Sequence, residues 1–109
     1  MAQSVDVLQG TLDLLILKAL ALGPLHGWGI SKLVRSLSGD VFQVNQGSLY
    51  PALYRLEDKG WIDATWGESP DGRRAKTYRL TPQGRKAFAA EKASWRAFAS
   101  TVELVLAAS

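Results

Sequence analysis

The chain has 109 residues, of which 47% are hydrophobic and 21% charged, with no cysteine and a formal charge of +3. That is one domain's worth of chain, able to bury roughly two-thirds of its unfolded surface, and the lack of cysteine excludes a disulfide framework, a thiolate metal site and a cysteine nucleophile. The mild net charge is a weak pointer to nucleic acid, but six of the thirteen cations (Arg73, Arg74, Lys76, Arg79, Arg85 and Lys86) lie in one short stretch without an anion.

Met1–Gly10 carries no cation ahead of an apolar run and no small-residue cleavage site, so no secretory leader is expected. The longest apolar stretches, Leu14–Leu17 and Ala19–Leu22, fall far short of the ~20 residues of a membrane span. A reducing cytoplasm suits the cysteine-free composition.

The first helix is predicted from Thr11 to Leu22. Leu8, Leu12, Leu15, Ala19 and Leu22 share one face, while Leu14 and Leu17 lie off it, so this helix is apolar on more than one side and belongs in the centre. Gly23-Pro24 ends it. The second helix runs from Gly27 to Leu37 on a stripe of Ile30, Leu33, Val34 and Leu37 and stops at Ser38-Gly39-Asp40. Val41–Val44 is an extended connector.

The third helix spans Gln46 to Lys59. Leu49, Leu53 and Leu56 face inward, and Tyr50 and Tyr54 stand one turn apart on a neighbouring face. Pro51 suits a helix interior poorly, which places the start at Gln46 or later, and Gly60 caps the end. Two strands follow, one with Ile62, Ala64 and Trp66 on a face and one with Lys76, Tyr78 and Leu80. Between them Pro70-Asp71-Gly72 makes the turn of a hairpin with a basic tip. Trp66 and Tyr78 are expected to pack across the strands.

The fourth helix starts with Thr81 as N-cap and Pro82 in its first turn and runs to about Ala107. Phe88, Trp95, Phe98, Val102 and Val105 recur at heptad spacing, interrupted only by Glu91. Three short helices cannot cover so long an apolar stripe, and a second copy of the chain packed helix to helix is the expected cover.

Three helices and a hairpin, in this order, make a mainly α fold with a small β-hairpin wing: a winged helix-turn-helix with a long C-terminal dimerisation helix. Residues 1–81 form the winged head and 82–109 the dimerisation helix. The ~12 Å major groove of B-DNA admits one helix. The third helix offers Gln46, Ser48, Tyr50, Pro51, Tyr54 and Arg55, with Ser48 and the amides of its first turn as phosphate donors. Arg73, Arg74 and Lys76 of the wing reach the adjacent backbone or minor groove. Taken alone, the third helix also reads as an ordinary amphipathic helix with half-buried tyrosines.

His26, the only histidine, has no second ligand near it in sequence and no group to orient it as a base. No glycine-rich phosphate loop is present. No catalytic residue, metal or cofactor is expected.

The string Gly47-Ser48-Leu49-Tyr50-Pro51-Ala52-Leu53-Tyr54-Arg55-Leu56-Glu57-Asp58-Lys59-Gly60 resembles the recognition-helix signature of PadR-type regulators. Leu25-His26-Gly27-Trp28-Gly29-Ile30 is similar to that family's second-helix start, and Arg73–Gly84 to its wing and fourth-helix start. Trp28 stands where the family usually has tyrosine, and Trp61 where leucine is usual. The resemblance implies a bacterial cytoplasmic repressor of the short-tailed subfamily, binding a pseudo-palindromic double-stranded operator as a homodimer. It further implies a planar aromatic effector at the dimer interface, with Trp95 and Phe98 as ligand contacts. Half-sites one turn apart lie ~34 Å from centre to centre, so a small hinge motion at the fourth helix is enough to mismatch them and release the DNA. Two alternatives stay open: a winged helix that binds protein instead of DNA, and a repressor without an effector, in which Trp95 is dimer core.

Overall fold

A computed structural model describes residues 5–6, 9–68 and 70–109. Leu8 of the predicted first stripe, most of Met1–Gly10 and Ser69 of the wing turn lie outside the described residues. The elements are β1 (Val5–Asp6), α1 (Gln9–Ala21), β2 (Leu25–His26), α2 (Gly27–Leu37), β3 (Phe42–Gln43), α3 (Gln46–Asp58), β4 (Ile62–Glu68), β5 (Arg74–Leu80) and α4 (Pro82–Leu106).

α1 sits at the centre and touches α2, α3, α4 and β5. Its buried face is Leu12, Ile16, Leu17, Ala19 and Leu20. Two residues expected on apolar stripes are instead exposed, Leu22 and Leu37. Each lies at its helix's C-terminal end, where periodicity continues but the neighbouring elements no longer reach. Ile30 and Val34 of α2 and Leu49, Ala52, Leu53 and Leu56 of α3 close the core, with Ile62, Tyr78 and Leu80 of the wing beneath them.

The ends of the helices are set locally. Asn45 caps α3, its Oδ1 accepting from the Ser48 amide at 2.9 Å, a bond that satisfies one of the orphan donors of the first turn. At the other end Gly60 adopts φ 75°. The amides of Gly60 and Trp61 return to the carbonyls of Glu57 and Leu56, the two bonds of a Schellman cap. Pro51 lies inside α3, one turn after Gly47. The i−4 hydrogen bond it lacks leaves the Gly47 carbonyl for water or another donor.

The hairpin pairs Ile62 with Leu80, Ala64 with Tyr78, Trp66 with Lys76 and Glu68 with Arg74. Leu25 and His26 add a third strand on β5, opposite Tyr78 and Thr77, and Val5–Asp6 pairs parallel with Phe42–Gln43. These two-residue strands are additions to the expected order. Trp66 and Tyr78 are not opposite one another. Tyr78 is buried, whereas Trp66, further along the strand, projects past the edge of the core and is exposed.

α4 begins on the winged head. Thr81 Oγ1 accepts from the Gly84 amide at 2.9 Å and donates to the Gly60 carbonyl at 2.7 Å, and the Thr81 amide donates to the Trp61 carbonyl. Phe88, expected in a helix-to-helix seam, packs partly buried against the core of its own chain. The exposed apolar face begins at Trp95 and continues through Phe98, Val102, Val105 and Leu106.

Candidate nucleic-acid interface

At 3.6 residues per turn, α3 divides its polar residues between two flanks. Tyr50 and Tyr54 face the wing, and Arg55 faces α1. Gln46, Ser48, Tyr50, Pro51 and Tyr54 are all exposed, as a surface meant to meet a partner requires.

The Tyr50 ring lies on the start of α2. A Cβ added at Gly27 would stand 3.0 Å from the Tyr50 hydroxyl oxygen and 3.2 Å from Cε1. The small residue at position 27 therefore lets the second and third helices approach, and Tyr50 keeps one edge in contact and one in solvent.

Arg55 goes elsewhere than expected. Its Nη2 donates to Asp13 Oδ1 of α1 at 2.8 Å, and its Nε is buried with no hydrogen-bond partner among the described residues. Arg55 thus holds the recognition helix to α1 rather than projecting toward a duplex. Asp13→Ala is expected to cost about 1–2 kcal/mol of stability, since the guanidinium is left part-buried without its acceptor. A double-mutant cycle with Arg55→Ala in urea unfolding should give a coupling of about 1 kcal/mol. Strict additivity would dismiss the bond as a stabilising contact.

Lys76 is also drawn inward. Its Nζ pairs with Glu57 of α3 at 3.3 Å and stands 5.5 Å from the Tyr78 ring, 5.8 Å from Tyr54 and 5.9 Å from Trp66. Burial opposes its charge, but the Glu57 hydrogen bond and the attraction of Tyr78, Glu57 and Tyr54 outweigh this and push its pKa up. Burial likewise pushes the Tyr78 hydroxyl up, against the lowering effect of Lys76. Lys76 therefore stays charged at neutral pH and acts as a bracket between wing and recognition helix.

The Ser48 amide is taken by the Asn45 cap, which removes one of the first-turn amides from the expected phosphate donors and leaves the residue itself exposed. Arg73 and Arg74 remain at the exposed wing tip. Arg73 Nε lies 3.9 Å from Asp71, and the Arg74 guanidinium lies 5.0 Å from the centre of the Trp66 ring. Arg79 is held by Asp63 at 2.7 Å.

These residues border a cleft of about 740 Å³ between the start of α2, α3 and the wing, where Tyr50, Tyr54, Arg73 and Arg74 meet Trp28 and Trp66. Sequence reasoning missed the two tryptophans and the Glu57 bracket. Trp66 had a usable signal, because it extends the Ile62–Ala64 face of its strand beyond the last core position. His26 is fixed at the back of the site: Nδ1 lies 3.2 Å from the Lys76 carbonyl and 3.3 Å from Thr77 Oγ1. Its ring stacks on Trp28 at 5.8 Å. Among the described residues no group of three His, Cys, Asp or Glu could hold a metal ion, and no helix is long and apolar enough to cross a membrane.

This arrangement is that of winged helix-turn-helix regulators, with an exposed helix face beside a cationic hairpin. Residues 16–90 match the transcriptional regulator PadR-like family. A transcriptional regulator from Clostridium thermocellum superposes with a TM-score of 0.79 at 30% identity, covering 87% of this chain and 89% of that one. A PadR-like regulator of Bacillus cereus gives 0.75 at 27% identity, covering 93% and 96%. In sequence, an uncharacterised "protein X" of Lysinibacillus sphaericus is 29% identical over 101 residues, 93% of each chain. A transcriptional regulator of Mycobacterium tuberculosis is 38% identical over 60 residues, 55% of each.

The chain belongs to the PadR-like family of transcriptional regulators. Its fold is the mainly helical one with a hairpin wing and a long C-terminal helix.

Proposed function

We propose that this regulator is a cytoplasmic repressor that binds a pseudo-palindromic operator as a homodimer. Residues 1–81 act as the DNA-binding head, and 82–109 join two copies. α3 enters the major groove with Gln46, Ser48, Tyr50, Pro51 and Tyr54 toward the duplex, and Arg73 and Arg74 meet the neighbouring backbone. Arg55 and Lys76 act indirectly, by holding α3 to α1 and to the wing. The observation that carries the reading is the shared side: the exposed tyrosines of α3 and the arginines of the wing tip border one cleft. The exposed apolar face of α4, from Trp95 to Leu106, supports the dimer. An aromatic effector between Trp95 and Phe98 of two copies would alter their alignment, and stacking on indole is the chemistry that would hold it.

The test is binding to the DNA upstream of the protein's own coding region, measured at several salt concentrations beside a scrambled duplex. Tighter binding to the upstream DNA is expected. Arg73→Ala with Arg74→Ala should weaken both complexes and flatten the salt dependence by up to ~0.9 per lost phosphate contact. An unchanged slope would remove the wing from the interface, and equal binding to both duplexes would refute operator recognition.

A further inference from the structure

We infer that the cleft between α3 and the wing seats one sugar–phosphate strand of the bound duplex, and that Trp28 and Trp66 are its two apolar walls. The inference rests on the DNA-binding reading above and adds two contact residues to it.

Trp28 is 56% exposed and Trp66 60%, though both belong to elements that otherwise build the core. Large apolar rings held in water beside a cleft mark a surface made for contact. Each carries a cation at its ring. Lys32 Nζ lies 5.5 Å from the centre of Trp28, and the Arg74 guanidinium 5.0 Å from that of Trp66. Each pair offers a flat apolar face with a positive charge alongside, which suits an apolar sugar joined to a phosphate.

The charge of the lining agrees. Arg73, Arg74 and Lys76 border the cleft; with Lys76 paired to Glu57 and Arg73 beside Asp71, Arg74 tips the balance to a net positive rim, complementary to a phosphodiester. Topology selects a strand as the occupant. When α3 lies in the major groove and the hairpin at the next groove, the strand that separates those grooves passes between them. Such contacts carry no base information, so they strengthen binding to every sequence alike.

The experiment uses the full chain with Trp28→Ala, Trp66→Ala and the conservative Trp66→Phe, each checked by thermal melting. Anisotropy titrations use the upstream duplex and its scrambled form. In parallel, acrylamide quenching is followed in a variant in which Trp61→Phe and Trp95→Phe leave only the two cleft indoles. Each alanine variant should bind both duplexes about tenfold more weakly with its salt slope unchanged, and Trp66→Phe should recover most of the loss. Saturating DNA should shield the remaining indoles from acrylamide.

Alanine variants that bind both duplexes like the parent, or quenching that DNA leaves unaltered, would overturn the assignment while the DNA-binding reading stands. Shielding by naphthoate at micromolar concentration, with displacement of DNA, would give the cleft to a small aromatic anion and also overturn it. A parent protein that binds no duplex at any salt would instead remove the DNA-binding reading itself.

Discussion

Gly84→Ala is expected to destabilise the protein by about 3 kcal/mol, although the same change in an ordinary helix interior would stabilise it by up to ~1 kcal/mol. Gly84 is buried in the first turn of α4. A Cβ there would overlap the Trp61 carbonyl oxygen and stand 3.1 Å from Leu80 Cδ2. The obstacle is backbone, and it is fixed from both sides. The Trp61 amide closes the cap of α3, and its carbonyl accepts from the Thr81 amide. Relief requires α4 to lift from the head, which breaks the Thr81 bonds to Gly60 and Gly84. Gly10→Ala is the matched control. It lies in α1 with open space around its added methyl, and it should raise stability by about 0.5–1 kcal/mol. Urea unfolding of both variants decides the matter. A midpoint for Gly84→Ala at or above the parent's would contradict the close approach.

In the proposed homodimer, Phe98→Asp should separate the two copies, raising the dimer dissociation constant by about 100-fold or more and weakening binding to the proposed operator at least as far. Phe98 is 68% exposed, so in one chain the change is nearly neutral and the monomer should melt normally. In a helix-to-helix seam the carboxylate is buried without a cation, which is where the penalty arises. Trp95 and Val102 lie on the same face, so the aspartate falls within the stripe and not at its rim. Sedimentation of the variant should give the mass of one chain, and its complexes should form on single half-sites only. A variant that sediments like the parent would place the seam elsewhere.

Much of this was legible in the sequence because it follows from short-range rules. Ile30 with Val34, and Leu49 with Leu53 and Leu56, reveal their helices through spacing alone. Thr81-Pro82 and Gly60 announce helix ends by chemistry, and Pro70-Asp71-Gly72 announces the wing turn. What periodicity cannot see is a partner far along the chain. Arg55 looks like a duplex contact until Asp13, 42 residues away, is placed beside it. Lys76 looks like a wing-tip cation until Glu57 and three rings surround it. The strands Leu25–His26 and Val5–Asp6 were hidden for another reason: two residues carry no alternation, and their pairing comes from the arrival of β5 and β3.

The bonds that bind Thr81 and Gly84 to the head bear on how such a repressor would let go. A loose junction there would allow the head to swivel while α4 stayed still. Instead these bonds join the head to the opening turn of α4, in a chain about 59 Å in its longest dimension. In the proposed dimer, leverage would reside in the meeting of two such arms: a few degrees of tilt where they touch would become several ångströms of travel at the far tips, enough to spoil a fit to half-sites ~34 Å apart.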